Sequence, residues 1–328
     1  MNNMAGRLEK ETQFYETMKE KLKTLPKIIG EYCTSMRANR KSYTTVNVYI
    51  NNVLHFARFV CDGDITEDFY KNITPSDVEN YMISLETKET SGGVKRMGDD
   101  ILQSRWSSLN TFFDWCMKRG YIDKNPMVVV NRPKNNTEHK VTYLTKTEIH
   151  RLFKAIDRND NEVFRMRDKT LISLALATAL RVSALVNINI DDIDFDNNVI
   201  RVVEKRQKVR EIPIGENTKN ALIEFIEFRT HILRNVNFRA LFLTKSNRRL
   251  SVWDANDMLE KYCDLANIKR ITFHKLRASA ATNLASAKVD IQTIGNILGH
   301  KSTSTTLKYI AVLEENKKNA VGLLDNLV

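Results

Sequence analysis

Apolar residues recur at helical spacing through most of the first 130 positions. Residues 5–24 form a charged amphipathic segment. In "SYTTVNVYINNVLHFARFV" (Ser42 to Val60) apolar positions return every three or four residues, and the Ser/Thr-rich start supplies a cap. "TPSDVENYMISL" opens on Thr74, Pro75 and Ser76, a helix-start combination. "GGVKRMGDD" interrupts the pattern, and "ILQSRWSSLNTFFDWCMKRG" restores it until Gly120 ends the segment. The pattern predicts four main helices with short connections, an all-α N-terminal domain.

The period is then lost. "DKNPMVVVNRPKNNTEHKVTYLT" carries two prolines and several asparagines, which reads as an extended tether. "TKTEIHRLFKAI" starts a new helix with a capping-box pattern on Thr145 or Thr147. "FRMRDKTLISLALATAL" is nearly apolar all round, the mark of a helix in the middle of a core. Val199–Glu204 and Val209–Ile214 are short β-rich runs separated by "KRQK", a β-hairpin pattern, and Ala240–Thr244 reads as a third strand. Helical patterning resumes at Trp253 and runs to the end. The fold class expected is mainly α with a small β-hairpin or sheet: an all-α N-terminal domain, a linker and an α+β second domain.

Composition narrows the partners. The 328 residues hold 51 Lys+Arg against 40 Asp+Glu, a net charge of +11. Such a balance suits a polyanion, either nucleic acid or an anionic membrane surface. No apolar run of the roughly 18 residues needed for a membrane span occurs, and the charged N-terminus has no secretory h-region. The four cysteines (Cys33, Cys61, Cys116, Cys263) lack C-x-x-C spacing and read as reduced thiols of a cytoplasmic protein.

Four places could carry chemistry, and each also has an ordinary reading. Arg181 follows the buried helix in "ATALRVSALVNI"; it either meets solvent and helix-end carbonyls or contacts a ligand. Lys205 lies in "EKRQKVR" with Arg206, Lys208 and Arg210, either a solvated turn or a basic finger with one ammonium poised as proton donor. In "FHKLR", His274 and Arg277 stand three apart on one helix face, as a surface pair or as an imidazole beside a guanidinium that grips phosphate. In "LGHKSTSTTLKY", His300 follows a glycine and Tyr309 comes nine residues later, with a core tyrosine as the plainer reading. Taken together, the set lacks the carboxylate cluster of a metal-dependent nuclease and the G-x-x-x-x-G-K-[ST] loop of an ATP-driven enzyme. Arginine, histidine and lysine beside a phenol suit a metal-free covalent attack on a phosphodiester.

These elements resemble the tyrosine recombinase, or phage integrase, family of the lambda-integrase and Xer type, from about Ser42 to Tyr309. "ATALRVSALVNINIDDID" is similar to the motif of the family's first arginine, "VVEKRQKVREIPIG" to its lysine hairpin, and "ITFHKLRASAATNL" to its H-x-x-R element. "IGNILGHKSTSTTLKYI" is similar to its L-G-H…T-T-x-x-Y ending. "SYTTVNVYINNVLHFARFV" and "SRWSSLNTFFDWC" look like its core-binding domain, and "NPMVVVNRPK" like the linker that follows. The resemblance implies catalytic roles for Arg181, Lys205, His274, Arg277, His300 and Tyr309, with Lys208 second to Lys205. Tyr309 would be the nucleophile of a site-specific recombinase acting through a 3′-phosphotyrosine, with no metal, cofactor or ATP. Two positions depart from the pattern: Ala184 replaces the usual acidic residue, and Ala179 a common glycine.

The implied layout is an extension over 1–24, a core-binding domain over 25–124, a linker over 125–143, a catalytic domain over 144–311 and a tail over 312–328. The implied partner is duplex DNA with a specific recombination site, with no membrane involved. A homo-tetramer would assemble on it through the tail, in the cytoplasm at the nucleoid. Arg37, Arg40, Lys41, Arg105, Arg206 and Lys208 are candidate DNA contacts, each also readable as ordinary solubilising charge. The competing expectations are an accessory DNA-binding protein that has lost activity, supported by Ala184, and a topoisomerase-like relaxing enzyme.

Overall fold

The computed structural model describes residues 16–90, 93–134, 142–203, 209–233, 238–299 and 306–307. The chain divides into two compact units, 1–139 and 140–328. Among the described residues no helix is long and apolar enough to cross a membrane.

In the first unit a helical stretch over 16–22 precedes α1 (Lys27–Ala38), α2 (Tyr43–Val60), α3 (Pro75–Ser84) and α4 (Asp99–Lys118). Two of the caps are local chemistry and the third reaches across the chain. Ser42 accepts the Thr45 N–H, Thr74 and Asp77 form a reciprocal box, and the Glu67 carboxylate takes the Lys27 N–H at 2.9 Å. The apolar stripe of α2 (Val46, Ile50, Val53, Phe56) is buried in a core with Tyr32, Tyr81, Phe112 and Phe113. Rings meet there edge to face, as Phe56 does with Tyr81 at 5.1 Å between centroids. Buried Asn52 ties α2 to α4 by donating to Ser108 Oγ at 2.9 Å.

Two features of this unit differ from the pattern read in sequence. α1 lies between segments read as helical, although Ile28, Ile29, Tyr32, Cys33 and Met36 form a buried helical stripe. The interruption before α4 is an antiparallel ribbon, β1 (Thr87–Thr90) with β2 (Gly93–Arg96). Pairing Thr90 with Gly93 leaves two residues between the strands, the spacing of a tight hairpin.

The second unit opens with α5 (Lys146–Asp157), capped by Thr145 in a box with Glu148, and α6 (Glu162–Thr178). α6 lies in the core as its apolarity predicts, but it carries one acid inside. Asp168 is 2% exposed, paired with Arg167 at 2.6 Å and accepting from Tyr262 at 3.0 Å. Burial pushes its carboxyl above the usual carboxylate range, against the pull of Arg167.

The short α7 (Val182–Leu185) follows, then a three-stranded antiparallel sheet of β3 (Ile193–Asp194), β4 (Val199–Val203) and β5 (Val209–Pro213), in that order. The hairpin read from sequence is β4–β5, in register from Val199↔Pro213 to Val203↔Val209. The third strand is β3, not Ala240–Thr244. That stretch makes only isolated bridges, Asn189↔Ala240 and Leu243↔Arg249. Leu241 and Phe242 there are fully buried, each worth about 1.5–3 kcal/mol of burial, so packing and not a ladder holds the stretch. α8 (Glu216–Leu233), α9 (Val252–Leu265), α10 (Phe273–Ser286) and α11 (Ile291–Leu298) complete the described elements. α10 is central: Ala278, Ala280 and Ala281 are small enough to let Ile294 and Leu298 of α11, and Ala179 at the end of α6, pack against it.

Candidate active site

α6 ends at Thr178, and Ala179 caps it in the left-handed region with φ 50°. Two residues later Arg181, exposed and extended, becomes the N-cap of α7. Leu180 before it and Leu185 and Val186 after it are buried, which holds both flanks of Arg181 in the core. Arg249 fixes the exit from α7 by donating to the carbonyls of Val186 and Ile188 at 3.1 and 3.2 Å.

Arg277 is the hub. In the second turn of α10 it is only 3% exposed. Its Nη1 donates to the Ala179 carbonyl at 2.8 Å, and its Nη2 donates to the Leu298 carbonyl. One guanidinium therefore binds the end of α6, which leads into Arg181, to the end of α11, which leads into His300.

His274 sits in the first turn of α10, one turn ahead of Arg277 and exposed. Partial desolvation lowers its pKa from the ordinary 6.5, and the positive fields of Arg277, Lys275 and Arg181 add to the fall. The positive end of the helix dipole acts in the same sense. The ring is thereby held neutral near pH 7, as a proton acceptor must be. The structure thus brings Arg181, His274 and Arg277 to one place.

Lys205, Arg206, Lys208, His300 and Tyr309 lie outside the described residues, but the elements that lead to them are described. Gly299, immediately before His300, closes α11 with φ 62°. Thr306, three residues before Tyr309, is fully buried, and a Cβ added at Gly295 of α11 would stand 3.4 Å from its Oγ1. Lys205 falls between β4 and β5.

The second unit's sequence matches the model of the phage integrase family over residues 142–316. The chain is also 31% identical over 336 residues to the tyrosine recombinase XerC of Caldanaerobacter subterraneus subsp. tengcongensis, covering 95% of this chain and 89% of that one. The chain belongs to the phage integrase family. The XerC of Listeria welshimeri is 28% identical over 283 residues, covering 85% of this chain and 90% of the relative.

The fold of this integrase family member is also that of the XerH site-specific recombinase bound to a palindromic difH substrate in a post-cleavage complex. That match has a TM-score of 0.70 at 20% identity, over 90% of this chain and 84% of the other. A lambda integrase dimer bound to a COC′ core site gives a TM-score of 0.67 at 16% identity, over 87% and 94% of the two chains.

The candidate DNA contacts of the first unit divide by environment. Arg40 and Lys41 are exposed in the turn between α1 and α2. Arg37 is half-buried and holds that turn, donating to the Lys41 carbonyl with its guanidinium 3.6 Å over the Tyr43 ring. Arg105 is half-buried beside Tyr81, with its Nη1 buried and unpartnered.

The sequence reading missed the work of Arg210. Basic residues precede it in the sequence, yet it faces inward in alternation with buried Ile212 and Ile214. Its Nη2 donates to the carbonyls of Asn296, at 2.8 Å, and Ile297. That alternation was the signal available in the sequence.

Proposed function

We propose that this tyrosine-type site-specific recombinase cuts duplex DNA through Tyr309, with the six residues matched to the family motifs acting as follows. The Tyr309 phenol attacks a backbone phosphorus, its proton passing to His274, and a 3′-phosphotyrosine forms. The bond from phosphorus to the 5′-oxygen breaks, and Lys205 protonates that oxygen. Arg181 and Arg277 neutralise the non-bridging oxygens, where a planar fork serves better than an ammonium, and His300 donates to the same phosphate. Attack by another strand's 5′-hydroxyl on the phosphotyrosine reverses the step and rejoins DNA. The phosphodiester energy is kept in the covalent bond, so neither ATP nor a metal enters.

The observation that carries this reading is the position of Arg277, joining the approaches to Arg181 and His300 around a neutral His274. The proposal extends to the partners: duplex DNA bearing a specific recombination site, held in part by Arg40 and Lys41, and a homo-tetramer assembled through the 312–328 tail. Residues 25–124 serve as core-binding domain, 125–143 as linker and 144–311 as catalytic domain. The place of action is the cytoplasm, at the nucleoid.

The test is a covalent-adduct assay. Wild-type protein mixed with a nicked duplex of the recombination site should yield a protein–DNA adduct stable to detergent, and Tyr309→Phe should yield none while still shifting the duplex on a gel. An adduct persisting in Tyr309→Phe would move the nucleophile to another residue.

A further inference from the structure

The last three carbonyls of α11 are all taken by arginines from outside that helix. Arg210 of β5 binds Asn296 and Ile297, and Arg277 of α10 binds Leu298. They lie at the negative end of the helix dipole, where guanidinium groups are favoured; Asn296 also accepts the N–H of the Gly299 cap at 3.1 Å. Arg277 belongs to the catalytic set. Arg210 does not, and it stands on a different element.

Its place on that element is specific. Arg210 pairs with Val202 across the hairpin, and a single further rung, Val203↔Val209, separates it from the loop that contains Lys205. One residue of strand is about 3.3 Å, so Arg210 clamps the ladder one residue from where that loop begins. On the other side of the clamp, α11 runs through Gly299 directly into His300. The two-stranded ladder beyond this point has exposed Val203 and Val209 as its end pair and no buried side chain to hold it.

We infer that Arg210 is a positioning residue for the leaving-group step: it fixes the hairpin end that carries Lys205 against the helix end that carries His300. The inference rests on the assignment of Lys205 as the acid that protonates the 5′-oxygen. Loss of the clamp lets the hairpin end move relative to the phosphate site, so proton delivery suffers while the nucleophile and the phosphate-binding arginines keep their places.

A sulfur substitution isolates that step. The probe is a nicked duplex around the site where the wild-type adduct forms, made with either an ordinary phosphodiester or a bridging 5′-sulfur at the scissile position. A thiol has a pKa of about 8.5, so the sulfur leaves without a proton donor. Arg210→Ala should cleave the phosphodiester at least about 30-fold slower than wild type, within the range a general acid contributes. It should cleave the sulfur duplex at close to the wild-type rate, with unchanged duplex affinity. Arg210→Lys keeps one donor and should lose less on the phosphodiester; it also serves as the test variant if Arg210→Ala melts too early to assay. Lys205→Ala is run alongside. If sulfur rescues Lys205→Ala but not the Arg210 variants, or if the Arg210 variants lose nothing on either duplex, the inference is overturned alone. If sulfur fails to rescue Lys205→Ala, the assignment of the acid falls and the inference falls with it.

Discussion

Arg277 donates from Nη1 to the backbone carbonyl of Ala179, 2.8 Å away, although 98 residues separate them in the chain. Ala179 is the left-handed cap of α6, a conformation that costs a non-glycine residue about 1–2 kcal/mol. The bond therefore does two things. It fixes a strained corner, and it sets where Arg181, two residues on, leaves that corner. The same guanidinium reaches the Leu298 carbonyl, so the proposed phosphate site and the scaffold would share one side chain.

Arg277→Ala should consequently lose stability as well as activity. It strands two buried carbonyls and empties the space of a side chain that is 3% exposed, which together cost about 2–4 kcal/mol. Arg277→Lys keeps the charge but not the fork, and should recover part of the melting temperature while adduct formation stays low. Thermal denaturation and the adduct assay, run on both variants, separate the two roles; a lysine variant restoring both equally would reduce Arg277 to a scaffold.

In the proposed mechanism the depressed pKa of His274 sets the pH response of the reaction. Adduct formation should fall as pH drops through that pKa, because an imidazolium cannot accept the Tyr309 proton, and the midpoint should lie below the ordinary 6.5. Stability moves in the same direction: between 6.5 and the lower folded value the unfolded chain binds a proton that the folded chain refuses, so folding weakens as pH falls. Lys275→Gln removes one of the charges that lower the pKa, and should shift both the rate midpoint and the imidazole NMR titration upward. An unmoved titration would leave the depression to desolvation and the fields of Arg277 and Arg181.

Chelation should leave the chemistry untouched. In the proposed mechanism the developing phosphate charge is met by Arg181 and Arg277, and among the described residues no group of three His, Cys, Asp or Glu is arranged to hold a metal ion. Adduct yield with excess EDTA should equal that with magnesium. A strict divalent requirement would place an ion where the arginines are now assigned.

The parts of this fold legible in sequence are those written in a local code: the caps at Ser42, Thr74 and Thr145, the apolar length of α6, and the β4–β5 alternation about its basic connection. What escaped was set by contacts distant in the chain. Lys27–Ala38 has a clear stripe, but its helix start depends on Glu67, 40 residues away. Ala240–Leu243 has strand composition, yet its neighbours offer one bridge apiece. The candidate catalytic types can be named from sequence because motif order and spacing survive in one dimension. Arg277's bonds to the helix ends, and the acceptors that Arg210 meets, cannot be, since both depend on where the ends of α6 and α11 lie in space.

Gly295 offers the most direct handle on the nucleophile's approach. It lies buried in α11, and a Cβ built there stands 3.4 Å from the Oγ1 of fully buried Thr306, three residues ahead of Tyr309. That distance is an ordinary contact, so Gly295→Ala should be accommodated. A helix-interior glycine-to-alanine change is worth up to about 1 kcal/mol in favour of the helix, and Gly295→Ala should melt at or slightly above the wild-type temperature with its adduct yield preserved. A branched side chain has no such room: the γ-methyls of Gly295→Val project beyond the Cβ toward Thr306, in a core where overpacking costs about 1–3 kcal/mol. The displaced element is the one that leads to Tyr309, whereas Arg181, His274 and Arg277 stand on α7 and α10. Gly295→Val should therefore bind duplex DNA like the wild type but form the adduct more slowly by about tenfold or more, the equivalent of 1.4 kcal/mol in the barrier. Gel shift and adduct time course on the two variants decide the matter; equal rates for valine and wild type would show that the packing of Thr306 on α11 does not set where Tyr309 stands.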